Sequence, residues 1–411
     1  MTAGSATSSC QSGSTSRSGE GALGRWRATG EAEPGRSRAE RLTAVQILGL
    51  SLRDFRGYHD ARVDLGSGLT VVTGPNGAGK TNLLEGIYFA CTGRSCRTSN
   101  EREVVSFGAG ATRTVLTCEG DDGIHELSVG FVPGQPKMMR ADGAPVERML
   151  DVANRPLVSV FLPDRLGLIK GAPAVRRAHL DQFVSALWPA RSDTRRLYSQ
   201  ALAQRNALIA RIRSGRGSHG SLDTWDAQLA RHGIALMNDR RSAVESLAGP
   251  FERLGTALGL DGDPQVFYRP RSRATEPAEL ATELAERLQP DLERGFTGHG
   301  PHRDDVATEH GGHDLRAYGS QGQQRLALLA LLLAEREVIA AHRSAPPVML
   351  LDDVMSELDR DRRRSLVELL CSTAGQSVIT ATDLEHVPAS THADAAHIAV
   401  SAGRLLAMAA E

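Results

Sequence analysis

The chain has 411 residues, of which 40% are hydrophobic and 24% charged, and its formal net charge is −1. That composition belongs to a soluble globular protein of two or three domains. The near-zero charge excludes nucleic-acid binding through a global basic field, so any such contact must come from a local patch. The cysteines (Cys10, Cys91, Cys96, Cys118, Cys371) show no metal-ligand spacing and no even framework, which points to reduced thiols in a cytosolic protein. No apolar run approaches membrane-spanning length, and no signal peptide is expected at the start.

Residues 1 to about 43 are rich in Ser, Gly, Thr, Ala, Arg and Glu and carry almost no large apolar residues. They bury too little surface to offset ordering entropy and are expected to be disordered. Order begins near Ala44. Leu48, Leu50 and Leu52 alternate with smaller or polar residues, the pattern of a half-buried strand, and a second strand is expected around Arg62 to Leu65. Leu69-Thr70-Val71-Val72-Thr73 is short, apolar and β-branched, as a buried parallel strand should be.

Gly74-Pro75-Asn76-Gly77-Ala78-Gly79-Lys80-Thr81 follows, and fits Gly-x-x-x-x-Gly-Lys-(Ser/Thr). Leu83, Leu84, Ile87 and Cys91 then recur at helical spacing, so a helix starts near Lys80. The glycines let the backbone turn sharply and approach a ligand. N–H groups at the helix start point at phosphate oxygens, and the helix dipole favours their charge. Lys80 is expected to reach the β- and γ-phosphates of ATP, and the Thr81 hydroxyl to hold Mg²⁺. The only lysines in the chain are Lys80, Lys137 and Lys170. A chain that otherwise uses Arg keeps a compact ammonium where a guanidinium would not fit the cradle.

Further alternating runs follow at Thr114 to Cys118 and at Leu127, Val129 and Phe131. Strands on both sides of the loop and its helix predict a mixed sheet with helices packed on it. From about Ser192 the period becomes heptad-like: Leu197, Ala201, Leu208, Ile212, then, past a Gly-rich loop, Leu222, Trp225, Leu229, Leu236. Two antiparallel helices of about 20 residues, each roughly 30 Å long, are predicted. Nine arginines decorate them: Arg195, Arg196, Arg205, Arg211, Arg213, Arg216, Arg231, Arg240 and Arg241. A solvated helix face and a patch for phosphate backbone both account for them.

Near the end, Val348-Met349-Leu350-Leu351 is an apolar strand ending in Asp352-Asp353. Beside a phosphate loop, Asp352 would hold the hydration shell of Mg²⁺ and Asp353 would orient or deprotonate the attacking water. Asp352 lies more than half the chain beyond Gly74, too far for a compact single-domain phosphate-loop fold, and the helical pair fills the gap. Ser320-Gln321-Gly322-Gln323-Gln324-Arg325 opens another helix, a second anion-binding helix start. Two subunits placed head to tail could close two ATP molecules between the two kinds of helix start. ABC-type and SMC-type ATPases work in this way; Ser320 to Gln324 resembles their signature, and Ser356-Glu357-Leu358-Asp359 their D-loop.

Within that superfamily the chain resembles the RecF family of bacterial recombination mediators, from about Val45 onward. The blocks that carry the likeness are Asp54-Phe55-Arg56-Gly57-Tyr58, Gly74 to Thr81 with Asn82-Leu83-Leu84-Glu85, Gly300 to Asp305, Ser320 to Arg325, and Leu350 to Asp359. The resemblance implies an α/β fold, an ABC/SMC-like phosphate-loop ATPase head of two lobes (44 to 185 and 296 to 411) with an inserted mainly helical domain (186 to 295). It implies an ATP-dependent homodimer on double-stranded and gapped DNA, working in the cytoplasm with RecO and RecR to load RecA, with slow hydrolysis as a switch. Among residues it implies ATP and Mg²⁺ roles for Lys80, Thr81 and Asp352, a catalytic role for Asp353, and contacts across the dimer from Ser320, with Gly322 and Gln323 beside it. Arg56 resembles an arginine that approaches nucleotide phosphates in SMC-like relatives. Asp164 stands where the family has Glu after Pro, at a place similar to the Q-loop, and is one methylene shorter. The block from Gly300 to Asp305 fits the family, but the sequence gives it no physical role.

Overall fold

The computed structural model describes residues 45–163, 166–343, 345–373, 375–388 and 395–408. The disorder expected for residues 1 to 43 and the role expected for Asp164 fall outside them. In chain order, β1 (Gln46–Phe55) and β2 (Tyr58–Asp64) form a hairpin, and β3 (Leu69–Thr73) leads through the glycine-rich loop into α1 (Lys80–Thr92). Four strands follow: β4 (Thr112–Gly120), β5 (Gly123–Phe131), β6 (Met138–Ala141) and β7 (Ala144–Val146). Then come β8 (Val158–Phe161), α2 (Gly167–Lys170), α3 (Pro173–Leu187), α4 (Asp193–Arg213), α5 (Leu222–Ala257), β9 (Gln265–Arg269), α6 (Pro277–Glu286) and α7 (Leu288–Arg294). The last part holds β10 (Asp305–His310), β11 (His313–Asp314), α8 (Leu315–Tyr318), α9 (Gln321–Arg343), β12 (Val348–Leu351), α10 (Arg360–Ser372), β13 (Ser377–Ala381), β14 (Ala396–Ser401) and β15 (Arg404–Met408).

These strands build three sheets, where one mixed sheet was expected. The first is antiparallel, in the order β2-β1-β4-β5-β6-β7. The second runs β15-β14-β3-β13-β12-β8, parallel except for β15. The third is the small sheet β11-β10-β9. The separation follows from the residues. β3, β12 and β13 are buried at every position, as strands covered on both faces must be, whereas β4 alternates. Leu69 and Val71 face a core shared with α3, α5, α9 and α10, while Val72 faces the core beneath α1 and the antiparallel sheet. The expected phase of β1 is broken by a bulge between Ile47 and Gly49, so Ile47 is buried and Leu48 only partly. Gln376 meets the bulged strand. Its side chain accepts from Ile47 N (2.9 Å) and donates to the Ile47 carbonyl (2.7 Å) and the Gly66 carbonyl (2.6 Å).

The stretches 44 to 185 and 296 to 411 share the central sheet: β3 and β8 from the first interleave with β12, β13 and β14 from the second. The stretch between them supplies α4 and α5. α5 has 36 residues where about 20 were expected, and continues through Pro250. The buried seam of α4 runs Tyr198, Ala201, Arg205, Leu208, so Arg205 occupies a core position that an apolar pattern passes over. Its guanidinium donates to Asp226 (2.5 Å), Asp291 (2.6 Å) and Thr297 Oγ1 (2.8 Å). Arg240 is likewise buried, held by both oxygens of Asp181 (2.8 and 3.0 Å). These two arginines belong to the interior and leave the surface patch; Arg211, Arg213, Arg216 and Arg231 are exposed.

The structure gives Gly300 to Asp305 a role as a knot between layers. Arg240 donates to the Pro301 carbonyl (2.7 Å), and Arg176 grips Asp305 with two bonds (2.8 and 2.7 Å). Asp304, wholly buried, accepts from Arg271 N (2.7 Å), the Tyr268 hydroxyl and Arg240. His302 donates from Nε2 to the Thr297 carbonyl (2.9 Å), which leaves Nδ1 to accept from the Tyr198 hydroxyl (2.7 Å). Burial pushes the His302 pKa down to about 4, which favours this neutral form of the ring.

Removing one member of a buried ionic cluster strands the others. Arg205→Ala leaves Asp226 and Asp291 without their shared cation and is expected to lower unfolding free energy by about 3–5 kcal/mol, read by urea denaturation. An exposed arginine of the same hairpin, Arg211→Ala, is expected to stay within about 0.5 kcal/mol of wild type in that assay.

Candidate nucleotide site

Parallel strands place their C-terminal ends on one edge of the sheet. Here β3 delivers the loop Gly74 to Thr81 and β12 delivers Asp352 and Asp353, with β13 between them. The loop conformation needs its glycines. Gly74 has φ 152°, and a Cβ there would sit 2.2 Å from the Val400 carbonyl oxygen. Gly79 has φ 119°, and a Cβ there would sit 2.9 Å from the Tyr58 hydroxyl. That hydroxyl donates to the Gly79 carbonyl (3.0 Å), and Gly403, in the β14–β15 turn, donates its N–H to the Ala78 carbonyl (3.1 Å). The loop is thus clamped from both sides.

Lys80 is buried. Its Nζ donates to the carbonyls of Gly74 (2.7 Å) and Pro75 (3.2 Å), which stretches the side chain back over the loop at the start of α1. Thr81 Oγ1 lies 2.9 and 2.8 Å from the two carboxylate oxygens of Asp352. Thr380, on the intervening strand, donates to Asp352 Oδ1 (2.8 Å) and accepts from Asp353 N (2.9 Å). One hydroxyl therefore sets both acidic residues. Asp353 sits at φ 44°, a left-handed conformation that a side-chain-bearing residue rarely adopts, immediately beyond the strand. Burial raises the Asp352 pKa above its ordinary value; the Thr380 and Thr81 hydrogen bonds oppose the rise and the Asp353 charge adds to it.

A hydroxyl and a carboxylate at this separation form a hard-oxygen donor pair of the kind Mg²⁺ prefers, and a buried carboxylate next to a second acid favours a cation. The residues present fit that ion.

The other expected residues lie as follows. Arg56, at φ 52° in the β1–β2 turn, donates to both oxygens of Glu85 (2.9 and 2.7 Å), so its side chain is held against α1. Ser320 and Gln323 form a reciprocal cap on α9: Ser320 N donates to Gln323 Oε1 (2.8 Å), and Gln323 N to Ser320 Oγ (3.2 Å). Ser320 and Gly322 are exposed, and the hydrogen bonds of Ser320 stay within its own helix start. Arg325, in the first turn of α9, pairs with Glu357, which ties that helix start to Ser356–Asp359. Tyr58 and Glu85 stand in the blocks that carry the family likeness, but those blocks assign them no partner, and Thr380 belongs to no block. Its trace in the sequence is a hydroxyl one residue before the end of the strand Ser377–Ala381.

Residues 50–131 match the family model described as AAA domain. The chain is 32% identical to the DNA replication and repair protein RecF of Acetivibrio thermocellus, over 86% of this chain and 97% of that protein. It is 37% identical to the same-named protein of Anaeromyxobacter sp., over 87% and 98%. Among solved structures it resembles the recombination mediator protein RecF with ATP (TM-score 0.78, 26% identity, covering 91% of this chain and 100% of that one). It also matches the Smc head domain of Pyrococcus furiosus in fold (TM-score 0.55, 16% identity, covering 89% and 96%). The chain has the ABC/SMC-type phosphate-loop architecture, and it belongs to the RecF family of DNA replication and repair proteins.

Proposed function

We propose that the chain is an ATP-dependent DNA-binding protein of recombinational repair and replication-gap processing. In this reading it is a weak, DNA-stimulated ATPase that dimerises on double-stranded DNA at junctions with single strands. It works in the cytoplasm, at the nucleoid, with RecO- and RecR-type mediators to help load the RecA recombinase. The observation that carries it is the meeting of Thr81 with Asp352, which joins the phosphate loop to the acidic strand end. Relatives named for DNA replication and repair, and a relative solved with ATP in the RecFOR pathway, support it.

The roles follow from position. The loop N–H groups and the α1 dipole take the phosphate charge, and Lys80 adds a point charge to them. Thr81 and Asp352 would hold Mg²⁺, which when bound neutralises charge that develops on the phosphates. Asp353, aimed by its backbone and by Thr380, orients the attacking water and takes its proton. Ser320 is presented on the exposed start of α9, where a second copy of the chain would bring it, with Gly322 and Gln323, to the nucleotide of its partner. The exposed arginines of the α4–α5 hairpin offer phosphate-backbone contacts. In this scheme ATP closes the dimer on DNA and slow hydrolysis reopens it, and residues 44 to 185, 186 to 295 and 296 to 411 act as first lobe, helical domain and second lobe.

Three outcomes test the reading. Gly74→Ala drives a Cβ into the Val400 carbonyl and is expected to weaken ATP binding by at least tenfold in a calorimetric titration. Fluorescence anisotropy of a labelled gapped duplex should show tighter binding with Mg·ATP, and Lys80→Met should abolish that gain; binding indifferent to ATP would break the coupling. Ser320→Arg should keep ATP binding and lose ATP-dependent dimerisation, seen by sedimentation velocity. A Ser320→Arg chain that still dimerises with ATP would sink the cross-subunit role.

A further inference from the structure

Among the described residues, most buried carboxylates meet a guanidinium. Glu85 pairs with Arg56, Asp181 and Asp304 with Arg240, Asp226 and Asp291 with Arg205, and Asp239 with Arg191. Two buried carboxylates among them form no such pair. One is Asp352, whose fit to Mg²⁺ is described above. The other is Glu335, in the middle of α9, with a side chain only 9% exposed. Its Oε1 accepts from His179 Nε2 (2.7 Å). Among the described residues, Oε2 accepts no hydrogen bond, and it remains accessible. A carboxylate so deeply buried is costly without a cation to face it.

The space beside Glu335 is a cleft with about 400 Å³ of atom-free volume, its open side included. Leu180 of α3, Val244 and Leu247 of α5, Val266 of β9 and Leu331 of α9 line it, and all are buried. Leu168, His179 and Val306 border it and are half-buried, so they mark the open side. Arg176 borders it too, but its charge is already matched. Its Nε and Nη2 hold both oxygens of Asp305, and its Nη1 donates to the carbonyls of Ile169 (3.3 Å) and Gly171 (2.7 Å). Glu335 is thus the acid in this lining that no arginine balances. A metal ion needs several oxygen or nitrogen donors, whereas apolar walls around one acid suit an organic cation. The walls also come from three separate stretches of the chain, and ligand sites favour such junctions.

We propose that this cleft binds a small hydrophobic amine, with its ammonium on Glu335 and its hydrocarbon body among Leu180, Val244, Leu247, Val266 and Leu331. Oε2 of Glu335 accepts from the ammonium, and the Thr308 hydroxyl, which also borders the cleft, offers a second acceptor. An occupied cleft joins α3, α5, β9, β10 and α9, and so stabilises the folded chain in step with its occupancy.

The test uses three probes of one shape: isopentylamine, neutral isopentanol and anionic isovalerate. Each is titrated calorimetrically into the full chain. The amine is expected to bind with a Kd of roughly 0.1–1 mM, and the other two at least about tenfold more weakly. Glu335→Gln keeps an acceptor for His179 and removes the charge. It should weaken the amine by about tenfold or more and leave isopentanol within about twofold. Val244→Phe puts a ring into the cleft and should abolish amine binding. Melting temperatures report whether each variant is folded. If Glu335→Gln melts early, the three probes on the unaltered chain and the Val244→Phe result decide. Equal binding of amine and alcohol, tighter binding of isovalerate, or no binding of the amine overturns the proposal. Amine binding that survives either substitution in a folded variant overturns it as well.

Discussion

The Thr81 hydroxyl and the Asp352 carboxylate meet across 2.8 to 2.9 Å although they are 271 positions apart in the chain. Neither end could be held there by local structure. The contact exists because β3 and β12 are both parallel to β13, so that the loop after one and the carboxylates after the other emerge on the same edge. Parallel strands need covering on both faces, and here the antiparallel sheet with α1 covers one and the long helices the other. Much of the rest of the molecule serves that sheet. α5 and α9 seal one face, Gln376 fastens the antiparallel sheet to its edge, and the β14–β15 hairpin closes over the phosphate loop.

The elements that carry chemistry were legible because each has a strong local signature. Gly74 to Thr81 is a motif with a strand before it and a helix after it, and Val348 to Asp353 is an apolar run broken by two acids; both stand where the spacing put them. The sheet partition was not legible, because strand pairing depends on contacts distant in sequence. The fate of the arginines was hidden for a different reason. Counting charge along α4 and α5 treats all nine alike, yet Arg205 falls on the buried heptad seam, and its acidic partners come from α5 and α7. Arg56 shows the same limit: its motif is plain, but its partner Glu85 lies on another element.

The buried charges also explain how an inserted helical hairpin is kept in one orientation. Apolar seams tolerate sliding by a heptad, whereas a guanidinium that must find Asp226 and Asp291 together has one acceptable register. Arg240 does the same between α3, α5 and the knot at Gly300 to Asp305, where Asp181, Asp304 and the Pro301 carbonyl converge.

The placement of β3 has a consequence for biosynthesis. It is the central strand of the parallel sheet, and both of its neighbours, β13 and β14, are made after residue 376. The turn that pins Ala78 comes later still, at Gly403. A nascent chain that has exposed the glycine-rich loop therefore has the Tyr58 side of its clamp but neither flanking strand for most of translation. The native shape of the loop is complete only when the last strands leave the ribosome, and a truncated product would emerge without it.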